Sequence, residues 1–161
     1  MVSEDKLDVI DRRILQALQR DGRMSNVELA KRVHLTPTPC FERVRRLEES
    51  GFIERYVAQL NPRKLGFGLL AFIEVSLDKT NPQAFDRFRH AVADMSEIQE
   101  CHMVAGGFDY LMKVRVTDMV AYRHFLGERV STLPSVSRTH TYFVMEEAKS
   151  TQEIPVLAKG K

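Results

Sequence analysis

The sequence predicts an α+β chain in two parts, and three observations carry that reading. From Leu7 to Gly51, apolar residues recur at helical spacing, separated by residues that cap and stop helices. From Leu69 the period changes to two, and strand-like and helix-like segments follow in the order βαββαβ. Finally, 161 residues suffice for one ordinary domain or two small ones, and 43% hydrophobic with 29% charged residues matches a core-forming chain rather than a disordered one.

In the first part, Leu7, Ile10, Ile14 and Leu18 form an amphipathic stripe that Asp21-Gly22 ends. Ser25 is a good N-cap, Glu28 completes a capping box, and Val27, Ala30 and Val33 mark a short second helix ending near His34. Thr36 caps a third helix with Pro37 at its first position and Pro39 still in its first turn. Phe41, Val44 and Leu47 supply its buried stripe, and Gly51 ends it. Phe52 to Leu60 reads as a short strand or hairpin, closed by Asn61-Pro62. The expected boundaries are a first domain over 1–62, a connector over 63–68, a second domain over 69–149 and a loosely held tail over 150–161.

In the second part, Leu69, Ala71, Ile73, Val75 and Leu77 alternate with Leu70, Phe72, Glu74 and Ser76, a strand with two covered faces. Asn81-Pro82 starts a helix with Phe85, Phe88, Val92 and Met95 on its core side. Ile98 to Ala105 and Tyr110 to Val116 are strands joined by Gly106-Gly107-Phe108-Asp109. Asp118 caps a helix running through Met119, Tyr122, Phe125, Leu126, Val130 and Leu133; Pro134-Ser135 ends it, and Val136 to Glu146 is the last strand. This order gives a ferredoxin-like antiparallel sheet with both helices on one face, and a second copy of the chain is the simplest cover for the other.

Net charge is only +2, yet from Arg23 to Arg46 six bases face two acids. That pattern suits an anion-binding module, and a solvated helix face gives the same count. No apolar run reaches the ~18–20 residues of a membrane span, and the first residues mix acids and bases, so a cytoplasmic protein without a membrane partner is expected. Cys40 and Cys101 read as buried thiols. Cys101 and His102, adjacent in a strand, point to opposite faces and cannot act as nucleophile and base. His90, His124 and His140 lack metal-ligand spacing, and no phosphate-binding glycine motif occurs, so neither an enzyme nor a metal protein is expected.

A short helix, a tight turn and a longer basic helix make the helix-turn-helix arrangement, whose second helix lies in the DNA major groove. At 100° per residue, Pro37, Cys40, Phe41, Val44 and Leu47 share one side, and Thr38, Pro39, Glu42, Arg43 and Arg46 the other. A small helical bundle with a basic surface fits the same periodicity. In the second part, Gly106-Gly107 could admit a carboxylate to backbone amides, Asp109 could face an ammonium, and Met103, Met119 and Tyr142 could line an apolar slot. Equally, the glycines serve a hairpin turn, Asp109 a turn acceptor and Met119 a core contact. A ligand-binding regulatory domain fused to a protein-interaction module is the alternative to a DNA-binding regulator.

The run Asp21 to Val33, with Leu35-Thr36-Pro37-Thr38-Pro39-Cys40, Glu42 to Glu48 and Gly51-Phe52-Ile53, resembles the Lrp/AsnC family of transcription regulators. The resemblance continues through Glu97 to His102, Gly106 to Leu111 and Thr141 to Glu147, covering nearly the whole chain. It implies a winged helix-turn-helix that binds double-stranded DNA through Ser25, Asn26, Thr36, Thr38, Pro39, Arg43, Arg45 and Arg46. It also implies an effector and oligomerisation domain with no cofactor, responding to leucine or another small amino acid. The effector residues carried over are Gly106, Asp109, Tyr110, Met119, Tyr142, Phe143 and Val144, in a site between neighbouring dimers; Thr139 and Thr141 carry over less firmly. A homodimer assembling to an octamer or similar ring, associated with the nucleoid, completes the expectation. His34 departs from the family, which commonly has Gly in that turn; a left-handed backbone is harder for His.

Overall fold

Two capping boxes set where the first helices begin. In the computed structural model, which describes residues 7–156, α1 (Val9–Leu18) starts from Asp8, whose carboxylate accepts the Asp11 N–H at 2.8 Å. The Asp11 carboxylate in turn accepts the Asp8 N–H at 3.2 Å. Ser25 and Glu28 repeat the arrangement for α2 (Asn26–Val33). Thr36 is the N-cap of α3 (Pro37–Glu49), but its hydroxyl makes no capping bond. The reason is local: the third helical residue, which such a cap normally serves, is Pro39 and has no N–H.

The C-terminal ends of α2 and α3 close the same way. Phe52 N–H reaches Leu47 O at 2.9 Å and Gly51 N–H reaches Glu48 O at 3.0 Å, with Gly51 at φ 74°. Leu35 N–H reaches Ala30 O at 2.9 Å and His34 N–H reaches Lys31 O at 3.3 Å, with His34 left-handed at φ 59°. The closure that favours glycine is thus made by histidine. His34→Gly should stabilise the helical unit by about 0.5–1 kcal/mol and raise its melting point by about 3–6 °C. A lower melting point would show that the His34 side chain contributes more than its backbone strain removes.

Ile14, Ala17, Leu18, Leu29, Ala30, Val33, Cys40 and Leu47 form one small core, with Phe52 and Ile53 packed on it. The strand expected over 52–60 is not formed: among the described residues this stretch joins no ladder. The Phe52 and Ile53 N–H groups both go to Leu47 O, and the helical unit offers residues 54–60 no strand to pair with.

β1 (Leu69–Leu77), α4 (Pro82–Ala93), β2 (Ile98–Met103), β3 (Tyr110–Val116), α5 (Met119–His124) and β4 (Val136–Phe143) build the second unit. α5 runs on into wider π-helical turns over Phe125–Val130. The sheet is antiparallel throughout, in the order β2-β3-β1-β4. Asn81 and Asp118 cap α4 and α5 as expected, accepting the Ala84 and Ala121 N–H groups at 2.9 Å each. Ile73, Val75, Met112 and Val114 face Phe88, Val92, Tyr122 and Val130, so both helical elements cover one face. The other face is open within the chain and chemically mixed: Leu70 and Phe72 sit among Glu74, Lys113, Arg138 and His140. The two edge strands are shorter than expected, ending at Met103 and Phe143.

Two compact units result: one ends at Gln59 and resumes at Lys149, and the other spans Leu60–Ala148. Phe67, placed by sequence in the connector, belongs to the sheet unit, where its carbonyl accepts Arg115 Nη1 at 3.4 Å. The tail, expected to be loosely held, is anchored over its described part. Gln19 and Ile154 exchange two hydrogen bonds of 2.9 and 3.0 Å between the Gln19 amide and the Ile154 backbone. Residues 157–161 of that expectation lie outside the described residues. Among the described residues no helix is long and apolar enough to cross a membrane.

Candidate functional sites

The roll of α3 is fixed from α1. Asp11 is 1% exposed and receives both Arg43 Nη1 at 2.8 Å and Arg46 Nη2 at 2.6 Å; Arg43 Nη1 also lies 2.6 Å from Asp8. With Cys40 and Leu47 buried, the side opposite carries Thr38, Glu42 and Arg45. This corrects the helical wheel in two places. Phe41, expected in the core, is 53% exposed. Arg43, expected outward, is half-buried against α1 because the carboxylates there hold its guanidinium.

The remaining DNA candidates divide cleanly. Ser25, Thr36, Thr38 and Pro39 are exposed at the starts of α2 and α3. Asn26 ties those starts together by donating from its side-chain amide to Pro37 O at 2.8 Å. Arg45 continues down the exposed face, paired with Glu42 at 2.6 Å and Glu49 at 3.6 Å on the solvent side. Such exposed pairs contribute little, so the guanidinium exchanges partners readily. Arg46 reaches Asp11 with more than half its side chain in solvent.

The effector candidates are not gathered in one place. Asp109 sits at the end of the β2–β3 loop, where its carboxylate accepts Leu77 N–H at 2.7 Å. That bond gives Asp109 a structural task, and truncating it would leave a part-buried N–H without its acceptor, at about 1–3 kcal/mol. Gly106 is exposed in the same loop. Tyr110 is buried between Phe85 and Phe88, and its hydroxyl has no hydrogen-bond partner among the described residues. Phe143 packs edge-on against Tyr122 at 4.9 Å, one turn along α5 from exposed Met119. Val144 N–H bonds Leu70 O at 3.0 Å, at that same end. Tyr142 faces the opposite way, onto the open face beside His140 at 4.6 Å. Thr139 and Thr141 lie on the helix side, the latter bonded to the Tyr122 hydroxyl.

Phe143 stands opposite Ala71 and Tyr110 opposite Val75 on β1, four residues apart with two strand spacings between β3 and β4. Strand rise and spacing put the two groups about 17 Å apart within one chain.

Sequence reasoning missed two buried charges. Asp11 occupies the spacing Leu7, Asp11, Ile14, Leu18, so its place in the stripe was a signal that it is buried. Arg115, on β3, is 9% exposed and held by Gln99 at 3.3 Å and both Glu147 carboxylate oxygens at 3.2 Å. This cross-link ties the residues after β4 back to the sheet.

A helix-turn-helix whose second helix has an exposed polar face, joined to an antiparallel sheet domain, defines a DNA-binding transcription regulator with a ligand-binding domain. Comparison makes the assignment specific. Residues 7–54 match the family described as winged helix-turn-helix DNA-binding, and residues 70–154 match the Lrp/AsnC ligand binding domain. The chain belongs to the Lrp/AsnC family of transcription regulators and is not an enzyme. It is 57% identical over 150 residues to the leucine-responsive regulatory proteins of Escherichia coli K12 and Klebsiella pneumoniae, covering 93% of this chain and 92% of each relative. Among solved structures, a Neisseria meningitidis transcriptional regulator in complex with L-Met is similar at a TM-score of 0.90 and 39% identity, over 93% of this chain and 97% of that one. An AsnC family regulator from Agrobacterium tumefaciens is similar at 0.89 and 33%, over the same shares.

Proposed function

We propose that the exposed face of α3 reads the major groove with Thr38, Pro39, Phe41 and Arg45, while Ser25, Asn26 and Thr36 meet phosphates. Arg43 and Arg46 act in this reading by positioning α3. DNA binding and assembly respond to leucine or another small amino acid, as the names of the relatives and the L-Met complex of the neighbour suggest for this chain. The working form is a homodimer assembling to an octamer or similar ring, acting in the cytoplasm on the nucleoid.

One observation supports an effector site between copies. Tyr110, at the end of the Gly106 to Asp109 loop, and Phe143, beside Met119 and Val144, stand about 17 Å apart along and across one sheet, too far for one amino acid to touch both. A site using both groups takes the loop from one subunit and the cluster from another, so the ligand shifts assembly by its difference in affinity for the two states.

A thermal-shift screen of the twenty amino acids, with sedimentation in parallel, tests this. The effector at 100 times its dissociation constant should add about 2.7 kcal/mol of stability and change the oligomer size. Met119→Ala should abolish both responses without altering melting in the absence of amino acid, since Met119 is largely exposed. A response that persists in that variant places the site elsewhere, and no response in the parent removes the sensing role.

A further inference from the structure

A recess on the helical unit, with no α3 residue in its lining, is bordered by Arg13, Gln16, Ala17, Arg20, Arg32 and Val33 and has a volume of about 130 Å³. Three guanidinium groups border it. Arg13 and Arg32 make no ion pair or hydrogen bond among the described residues, and Arg20 has only Glu153 of the tail, 3.4 Å from its Nε. Elsewhere on this unit, Arg43, Arg45 and Arg46 all have carboxylates within 2.8 Å. Three like charges gathered at one recess with a single marginal counter-charge leave an uncompensated positive field.

We infer that this recess is a second DNA contact, binding the sugar-phosphate backbone independently of base reading. Its shape favours a strand over a single ion. Arg13 and Gln16 on α1 and Arg20 in the turn that follows it form a row, and seven residues at a helical rise of 1.5 Å each span about 10 Å. A DNA strand presents one phosphate per 3.4 Å of rise, so the row matches a short run of phosphates. Gln16 supplies a neutral donor between the two cations, Ala17 leaves the floor low, and Arg32 closes the side from α2. Such contacts carry no sequence information and strengthen binding to any duplex equally. The inference rests on DNA binding by this family, but not on which α3 side chains read bases.

The test is the salt dependence of full-length protein binding to a random-sequence duplex. Each lost phosphate contact flattens the slope of log K against log salt by about 0.9, so Arg13→Gln/Arg32→Gln should flatten it by about 1.8. A selected high-affinity duplex should lose affinity by the same factor, with thermal melting unchanged. Arg45→Ala, as comparison, should weaken the selected duplex more than the random one. An unchanged slope in the double variant, or a loss confined to the selected duplex, overturns the site while leaving α3 as the reader. Binding of inorganic pyrophosphate by the parent and not by the double variant, with the duplex slope the same in both, would make it a small-anion site and also overturn the inference. If the parent binds neither duplex at low salt, the inference falls together with the reading of α3.

Discussion

Arg43→Ala/Arg46→Ala should lower the stability of the helical unit by about 3–5 kcal/mol, because it strands a carboxylate in the core. Asp11 is 1% exposed, and these two guanidinium groups supply its charge partners. Adding Asp11→Leu to the double variant should restore most of the loss, since an apolar residue at that depth needs no partner and often replaces a buried ion pair at little cost. Urea unfolding of the three proteins, followed by helix signal, measures this. A double variant with the parent's midpoint would show that the ion pairs do not hold the unit together. The rescued triple variant also separates two explanations of any loss in DNA affinity: positioning predicts that binding returns with the fold, while direct contact predicts that it does not.

Arg45→Ala should behave in the opposite way, weakening binding to a selected duplex by about ten- to a hundredfold while leaving melting within a few tenths of a kcal/mol. Its present partners, Glu42 and Glu49, are exposed and on its own helix, so nothing in the core depends on it. Phe41→Ala should relax discrimination at one position of the selected site, because an exposed ring on this face suits a thymine methyl. Binding selection from a random library, repeated with each variant, reads both effects. If Arg45→Ala selects the same sequence with the same affinity, this face of α3 does not read DNA.

Periodicity encodes some of these residues and not others. The βαββαβ order was readable because alternation over Leu69 to Leu77 and the caps at Asn81 and Asp118 are local signals. The facing of α3 was not, because Arg43 and Arg46 look like solvent-side residues until a buried acid is found on another helix. Asp11 has the spacing of the core but the charge of a surface residue, so the two signals conflict. Phe52 to Leu60 has strand-like composition, but composition does not supply a partner strand. The tail contact joins residues 135 apart through a side-chain amide and a backbone peptide group, which leaves no periodic trace. The effector residues looked like one set in sequence because the resemblance grouped them; the register of β1 with β3 and β4 separates them.

The distribution of sulfur in the fold offers a native probe of local opening. Each unit holds one free cysteine: Cys40, fully buried among the helices, and Cys101, against the core of the sheet. Burial pushes both thiols up, Cys101 to about 11, so on the order of one in ten thousand Cys101 thiols is ionised at neutral pH. Alkylating reagents therefore wait for the surrounding structure to open. Mass spectrometry of the two cysteine-containing peptides, sampled over time, reports the opening of the helical unit and of the sheet unit separately in one experiment on the unmodified chain. An effector that seals subunits together should slow the clock at Cys101 first.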